Sequence, residues 1–342
     1  MSKMTPRERF FHAMRCEEVD RPPVCGMTTA ATTELMDYTG APWPEAHKSG
    51  KMLAKLALGA HEFLRLESIR TPFCLSYEAE ALGCTVDLGK KNSTPMIKSS
   101  PFKDQIDPDF HLMDVKEMVK KARNPAVIES AQIVAKERGD YPTLLGVTGP
   151  FTIAGHLAGT ENLILWTITE PEMTRAFTDF ATSYSMMWME YIENELNMDS
   201  IQMSEPTASW DMISAEYFDE FALGNLQKTY KKLDRTMKVL HICGNMLPML
   251  DHMVASGATG LSVEEKTDPY EAVKMADGKV SMVGNVGVVK PLLQGTPDDV
   301  RAASTRSLEA GFNILSAACG LSALIKKENL WAMVVTGQNW KY

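Results

Sequence analysis

The chain has 342 residues, enough for one large barrel or two modest domains. It is 44% hydrophobic and 23% charged with a net charge of −9, which suits a globular protein with a sizeable core and excludes the basic stripe of a nucleic-acid binder. No run of about 18 apolar residues offers a transmembrane helix, and the polar start Met1-Ser2-Lys3-Met4-Thr5-Pro6-Arg7-Glu8-Arg9 lacks a signal-peptide core, so a cytoplasmic location is the expectation.

Residues 5–16 read as a helix. Thr5 can cap it, Pro6 suits its first turn, and Phe10, Phe11 and Met14 share an apolar face. Arg21-Pro22-Pro23 ends it, and 24–27 read as a short buried strand. A helix through Leu35 and Met36 and a second over 51–64 follow. Ser68-Ile69-Arg70 leads into the next strand, and 85–89 alternate like a hairpin arm. Residues 90–114 are irregular and rich in Ser, Pro and Asp, so an inserted hairpin or lid is expected over about 74–114 within a single domain spanning 1–342.

Beyond residue 116 the pattern becomes regular. Helices are expected over 116–138, 161–196 with a break near Pro171, 217–233, 247–256, 269–276, 297–310 and from Lys327 onward. Strands are expected at 143–147, 200–203, 237–241, 260–264, 280–283 and in the run before Cys319. Together with the two early strands this makes about eight strands alternating with helices, the pattern of a (β/α)8 TIM barrel with an N-terminal helical extension. A doubly wound open sheet is the runner-up; it usually carries a Gly-rich phosphate turn, and no G-x-G-x-x-G occurs here.

In such a barrel, residues at the C-terminal ends of the strands share one mouth. His241 and Cys243 are two apart at one strand end and so face the same way, and Gly244 then lets the backbone turn. Cys319-Gly320 ends another apolar run. Two thiolates and an imidazole are a known zinc set. Free cysteines and lone histidines are also common core residues, but the matching strand-end positions favour metal. The six cysteines do not resemble a disulfide framework in a chain of this length, which leaves reduced thiols available as ligands. In Gly260-Leu261-Ser262-Val263-Glu264-Glu265, alternation turns Gly260, Ser262 and Glu264 to the axis. Glu264 is therefore the expected fourth ligand, with Glu265 second; a solvated acidic pair is the competing reading. Arg70, Tyr77, His156, Glu205 and Asn285 are further pocket candidates. Arg70 would anchor an anionic group, or pair with Glu67 or Glu78.

At these residues the chain resembles the uroporphyrinogen decarboxylase superfamily, and within it the zinc-dependent corrinoid-protein:coenzyme M methyltransferases. The likeness spans nearly the whole chain. It includes Asp20-Arg21-Pro22-Pro23-Val24, Trp43-Pro44-Glu45-Ala46-His47, Thr148-Gly149-Pro150-Phe151-Thr152, Pro206-Thr207-Ala208-Ser209, His241-Ile242-Cys243-Gly244-Asn245, Leu261-Ser262-Val263-Glu264-Glu265 and Ala318-Cys319-Gly320. The resemblance implies a barrel with zinc on His241, Cys243 and Cys319, and a Glu at the position of Glu264. It implies an enzyme that moves a methyl group from a methyl-Co(III) corrinoid, carried on a partner protein as methylcobalamin-type cofactor, to a thiol such as coenzyme M. No protein side chain acts as nucleophile in that scheme. The alternatives are another acceptor (a folate-type cofactor or homocysteine) and a metal-free tetrapyrrole decarboxylase. The true decarboxylases carry an arginine pair where this chain has Gly26-Met27-Thr28-Thr29, and Glu205 stands where the pattern has Asp before Pro206.

Overall fold

The protein is described by a computed structural model covering residues 3–102 and 114–341. Its strands, in chain order, are β1 (Ile69–Thr71), β2 (Thr85–Asp87), β3 (Met96–Ser99), β4 (Thr143–Thr148), β5 (Ser200–Ser204), β6 (Met237–Ile242), β7 (Gly260–Val263), β8 (Ser281–Val286) and β9 (Ile314–Ala317). Seven are parallel neighbours in the order β1-β4-β5-β6-β7-β8-β9, and β2 and β3 form a separate antiparallel hairpin. Each seven-stranded neighbour pair is joined through helices, which forces the parallel, right-handed winding of a barrel.

The segment at Val24 closes the ring. Cys25 N–H donates to Leu315 O and Leu315 N–H to Pro23 O, each at 3.0 Å. On the other side Glu67 N–H donates to Val24 O at 2.7 Å, and Gly26 N–H to Ser68 Oγ at 2.9 Å. The strand expected at 24–27 is thus a single bridge to β9. Pro22 and Pro23 have no N–H with which to extend its ladder. The fold is the (β/α)8 barrel, with this stave as its shortest.

The N-terminal helix, Pro6–Met14, plugs the end opposite the mouth. Thr5 and Glu8 form its capping box. Phe10, Ala13 and Met14 bury against Leu144, Val239, Val283 and Ile314 inside the barrel. Gly260 lets the plug approach closely: a Cβ would lie 2.9 Å from Met14 Cε and would push that methionine aside. Arg9, only 1% exposed, ties the plug down through Asp20 at 2.7 Å and Glu67 at 3.2 Å. The outer face of the strands meets the helices, with Leu145, Val147, Ile201, Met203, Leu261 and Val263 in that layer.

Two expectations need correction. The helix expected over 116–138 is two helices, Val115–Met118 and Asn124–Glu137. Ala122 sits at φ 47 between them, and Pro125 allows a helix to restart but not to pass through. A helix at Pro150–Ala158 was not anticipated, since its Gly155 and apolar run hid the helical period. Of the insertion expected at 74–114, the described part holds the helix Tyr77–Ala81 and the β2/β3 hairpin; residues 103–113 lie outside the described residues. Among the described residues, no helix is long and apolar enough to cross a membrane.

Candidate metal centre

His241 is the fifth residue of β6, and Cys243 follows where that strand ends. Cys319 lies two residues past the end of β9. The ligand atoms of the three side chains all fall within 4.8 Å of one another. His241 Nε2 is 3.3 Å from Cys243 Sγ, and Cys243 Sγ is 3.5 Å from Cys319 Sγ. A tetrahedral zinc with Zn–S bonds of about 2.3 Å would separate two sulfurs by about 3.8 Å. The observed sulfur–sulfur spacing is within a few tenths of an ångström of that, so the three side chains could hold such an ion.

The surroundings fix these groups. His241 is buried, and its Nδ1 faces Ser262 O at 3.2 Å and Ser262 Oγ at 3.1 Å. A carbonyl only accepts, so Nδ1 carries the proton and the Nε2 lone pair is left toward the sulfurs. Gly244 has φ +92, a conformation L side chains rarely adopt, and a Cβ there would lie 2.5 Å from Asp211 Oδ2. Thr28 donates its hydroxyl to Cys319 O at 2.7 Å, which pins the second thiol's loop. The two thiols share their charge unequally. The hydrogen bond from Cys243, and then that from His241, hold Cys319 down at about 4, while the same contact pushes Cys243 up.

Glu264 follows β7 as expected but stands outside the three-residue cluster. It is half-buried, and its Oε2 accepts the Gly244 N–H. From there it braces the turn after Cys243. Glu265 is exposed.

The centre lines a cavity of about 400 Å3 together with Arg70, Gln202, Ser204, Phe73, Cys74 and Leu321. Arg70 is 3% exposed, and its bonds go only to neutral acceptors: Met27 O at 3.1 Å, Gln202 Oε1 at 2.9 Å and Pro72 O. It pairs with neither Glu67 nor Glu78. Glu67 is taken by Arg9 and Arg21, and Glu78 accepts from the Thr148 N–H and hydroxyl. Burial lowers the Arg70 pKa to about 10, so the guanidinium keeps its charge at neutral pH without a carboxylate bonded to it.

The other candidates lie elsewhere. Tyr77 is sealed behind β4, donating to Gly146 O at 3.1 Å and accepting from Trp188 Nε1. Glu205 receives the Phe151 and Thr152 N–H groups at 3.1 and 2.5 Å, capping the helix Pro150–Ala158. Asn285 turns outward. Its Nδ2 donates to Thr267 O at 3.0 Å and its Oδ1 accepts from Ser307 Oγ at 2.9 Å, which braces the loop carrying Glu264. The His156 ring sits by the Pro150–Ala158 helix, away from the metal centre's cavity. Gln202 and Ser204 are not singled out by the sequence, although strand alternation places both on the axis, and Ser262 is placed there without a role.

The uroporphyrinogen decarboxylase (URO-D) family profile matches residues 5–340. The chain belongs to the URO-D family. Within that family, it is 34% identical over 336 residues to the methylcobamide:CoM methyltransferase MtaA of Methanosarcina barkeri, covering 98% of both chains. It is 33% identical over 354 residues to the methylcobamide:CoM methyltransferase MtbA of Methanosarcina mazei, covering 100% of both. The structure superposes on a methyltransferase from Methanosarcina mazei with a TM-score of 0.91, 33% identity and coverage of 98% of this chain and 99% of that one. A vitamin-B12-independent methionine synthase structure from Listeria monocytogenes, at 11% identity and a TM-score of 0.55, shares the fold.

Proposed function

We propose that this chain is a zinc-dependent methyltransferase that moves a methyl group from a methyl-Co(III) corrinoid to the thiol of coenzyme M. The observation that carries the reading is the convergence of His241, Cys243 and Cys319 on one cavity that is also lined by Arg70, a guanidinium with no carboxylate bonded to it. The names of the full-length relatives, methylcobamide:CoM methyltransferases, support both donor and acceptor.

The donor set fits zinc: two thiols and one imidazole whose other nitrogen is already engaged, as zinc-binding histidines usually are. Zinc held there would supply the positive charge that turns a thiol, ordinarily of pKa ~8.5, into a thiolate at neutral pH. The chain's own residues do the rest. Ser262 orients His241, Thr28 and Gly244 fix the two cysteine loops, and Glu264 braces the turn after Cys243. Arg70 binds the acceptor's sulfonate by charge-assisted hydrogen bonds and so aims its sulfur at the centre. The sulfur then takes the methyl carbon, the cobalt–carbon electron pair leaves on cobalt as Co(I), and the thiol proton passes to solvent.

The test is to incubate the purified protein with methylcobalamin and 2-mercaptoethanesulfonate, and follow loss of the methyl–cobalt absorbance. Transfer to this thiol, and much slower transfer to homocysteine or a folate, is the expected result. Equal or faster transfer to either alternative would move the acceptor assignment. No transfer to any acceptor by zinc-replete protein would remove the reading.

A further inference from the structure

We propose that Gln202 sets the charge selectivity of this cavity: it holds the Arg70 guanidinium in place without neutralising it and, through Ser204, supplies a second donor for an anionic head group. The proposal rests on the methyl-transfer reading above and names the residues by which its acceptor site tells anionic thiols from neutral ones. Among the described residues that line the cavity, Arg70 is the one Arg or Lys, and none is Asp or Glu. A buried charge is normally paired with an opposite one. Arg70 instead meets a neutral amide oxygen, Gln202 Oε1 at 2.9 Å, and the Met27 and Pro72 carbonyls. Three neutral acceptors fix its geometry and leave its charge for whatever enters the cavity.

The sheet register explains how Gln202 reaches both neighbours. Gln202 on β5 is the register partner of Gly146 on β4, and Arg70 crosses from β1 through the space that a Gly146 side chain would fill. Arginine N–H groups only donate, so Gln202 turns its carbonyl oxygen to Arg70 and its NH2 away. That NH2 donates to Ser204 Oγ at 2.8 Å. The Ser204 oxygen is thereby used as an acceptor. Its own proton has no acceptor among the described residues, which leaves it for the cavity that Ser204 lines. Ser204 is in turn the register partner of His241. Arg70, Gln202, Ser204 and His241 thus form one inward row from the guanidinium above β4 to the metal centre at β6. Two strand spacings cover that row, roughly 10 Å. A ligand lying along it carries a sulfur at one end and, a short spacer away, an anionic group with several acceptor oxygens at the other. Replacing the Gln202 amide by a carboxylate of the same shape would pair with Arg70 directly and discharge the cradle.

Titration calorimetry of the zinc-loaded protein with 2-mercaptoethanesulfonate and, in parallel, with neutral 2-mercaptoethanol reads this selectivity without turnover. Wild type should bind the sulfonated thiol about tenfold or more tightly than the neutral one. Gln202→Glu should abolish that preference, bringing the two affinities within about twofold of each other, while 2-mercaptoethanol binds as it does to wild type. Ser204→Ala leaves the Arg70–Gln202 bond in place and should cut the preference by about fivefold; it decides the case alone if Gln202→Glu does not fold. A folded Gln202→Glu protein that keeps the preference overturns the proposal, and so does one that loses affinity for both thiols alike. An unchanged preference in Ser204→Ala, or a wild type that binds neither thiol or both equally, overturns it as well. A preference present in wild type and lost in the variants, together with no methyl transfer from methylcobalamin, would leave the charge selectivity standing and remove the methyl-transfer reading instead.

Discussion

Ser262 grips His241 twice, its carbonyl 3.2 Å and its hydroxyl 3.1 Å from the same ring nitrogen. The two residues are register partners on β6 and β7, so the sheet itself sets this contact. The imidazole is thereby fixed in the tautomer that presents Nε2 to Cys243 Sγ. Ser262→Ala removes one of the two acceptors and keeps the carbonyl. Zinc affinity, measured by competition with a chromogenic chelator, should fall by about tenfold, the low end for outer partners of a ligating histidine. Unchanged affinity would show that the carbonyl alone is sufficient.

Arg70 predicts a charge-selective effect. Arg70→Gln removes the cation but keeps hydrogen-bonding capacity. The KM for 2-mercaptoethanesulfonate should rise by about ten- to a hundredfold, matching the ~1.5–3 kcal/mol of a charged hydrogen bond. The KM for neutral 2-mercaptoethanol should hold. Gly146→Ala provides a second approach, since a Cβ there would collide with the Arg70 guanidinium. It should shift the same parameter in the same direction. Parallel changes for both thiols would remove Arg70 from acceptor recognition.

Gly244→Ala strains the turn after Cys243. The backbone there has φ +92, and the new Cβ would press on Asp211. Strain at such a position costs on the order of 1–3 kcal/mol. Thermal melting of the variant should shift down, and its zinc should be lost to chelator more readily. A variant that melts like wild type would show that this loop adapts.

Two buried carboxyls make stability depend on pH. Burial raises Glu205 and Glu78 to about 7, against the backbone N–H bonds that pull them down. Both are at most 1% exposed. Because each folded value lies above its unfolded one, the native state holds more protons between about pH 4.5 and 7. Stability should be full below that window and decline as pH rises through it. Urea midpoints from pH 5 to 8 should therefore fall, and Glu205→Gln should flatten part of the slope. A midpoint that rises across this range would contradict the assignment.

The barrel and the convergence of His241, Cys243 and Cys319 were legible in the sequence because both follow from short-range rules. Period-two alternation aligns His241 with Cys243, and strand–helix alternation brings Cys319 to the same mouth. Glu264 was placed on the right loop by the same rule. Which way its carboxylate turns depends on the Gly244 N–H, a contact across 20 residues that no period encodes. Asn285 shows the rule failing. Gly284 has φ +135, so alternation stops there and the side chain leaves the axis for Ser307. Tyr77 is a pocket candidate, and Glu205 is expected at the mouth from its place at a strand end. Tertiary bonding instead uses them behind β4 and at a helix N-terminus. The partners of Arg70 were likewise unreadable, since Glu67 is claimed by Arg9 from the N-terminal plug and by Arg21.

The most direct measurement is zinc content by metal analysis of wild type and Cys319→Ala, purified side by side without chelators. Wild type should carry about one zinc per chain, and the variant well under half of that together with loss of methyl transfer to 2-mercaptoethanesulfonate. A Cys319→Ala protein with full zinc and full rate would contradict the account.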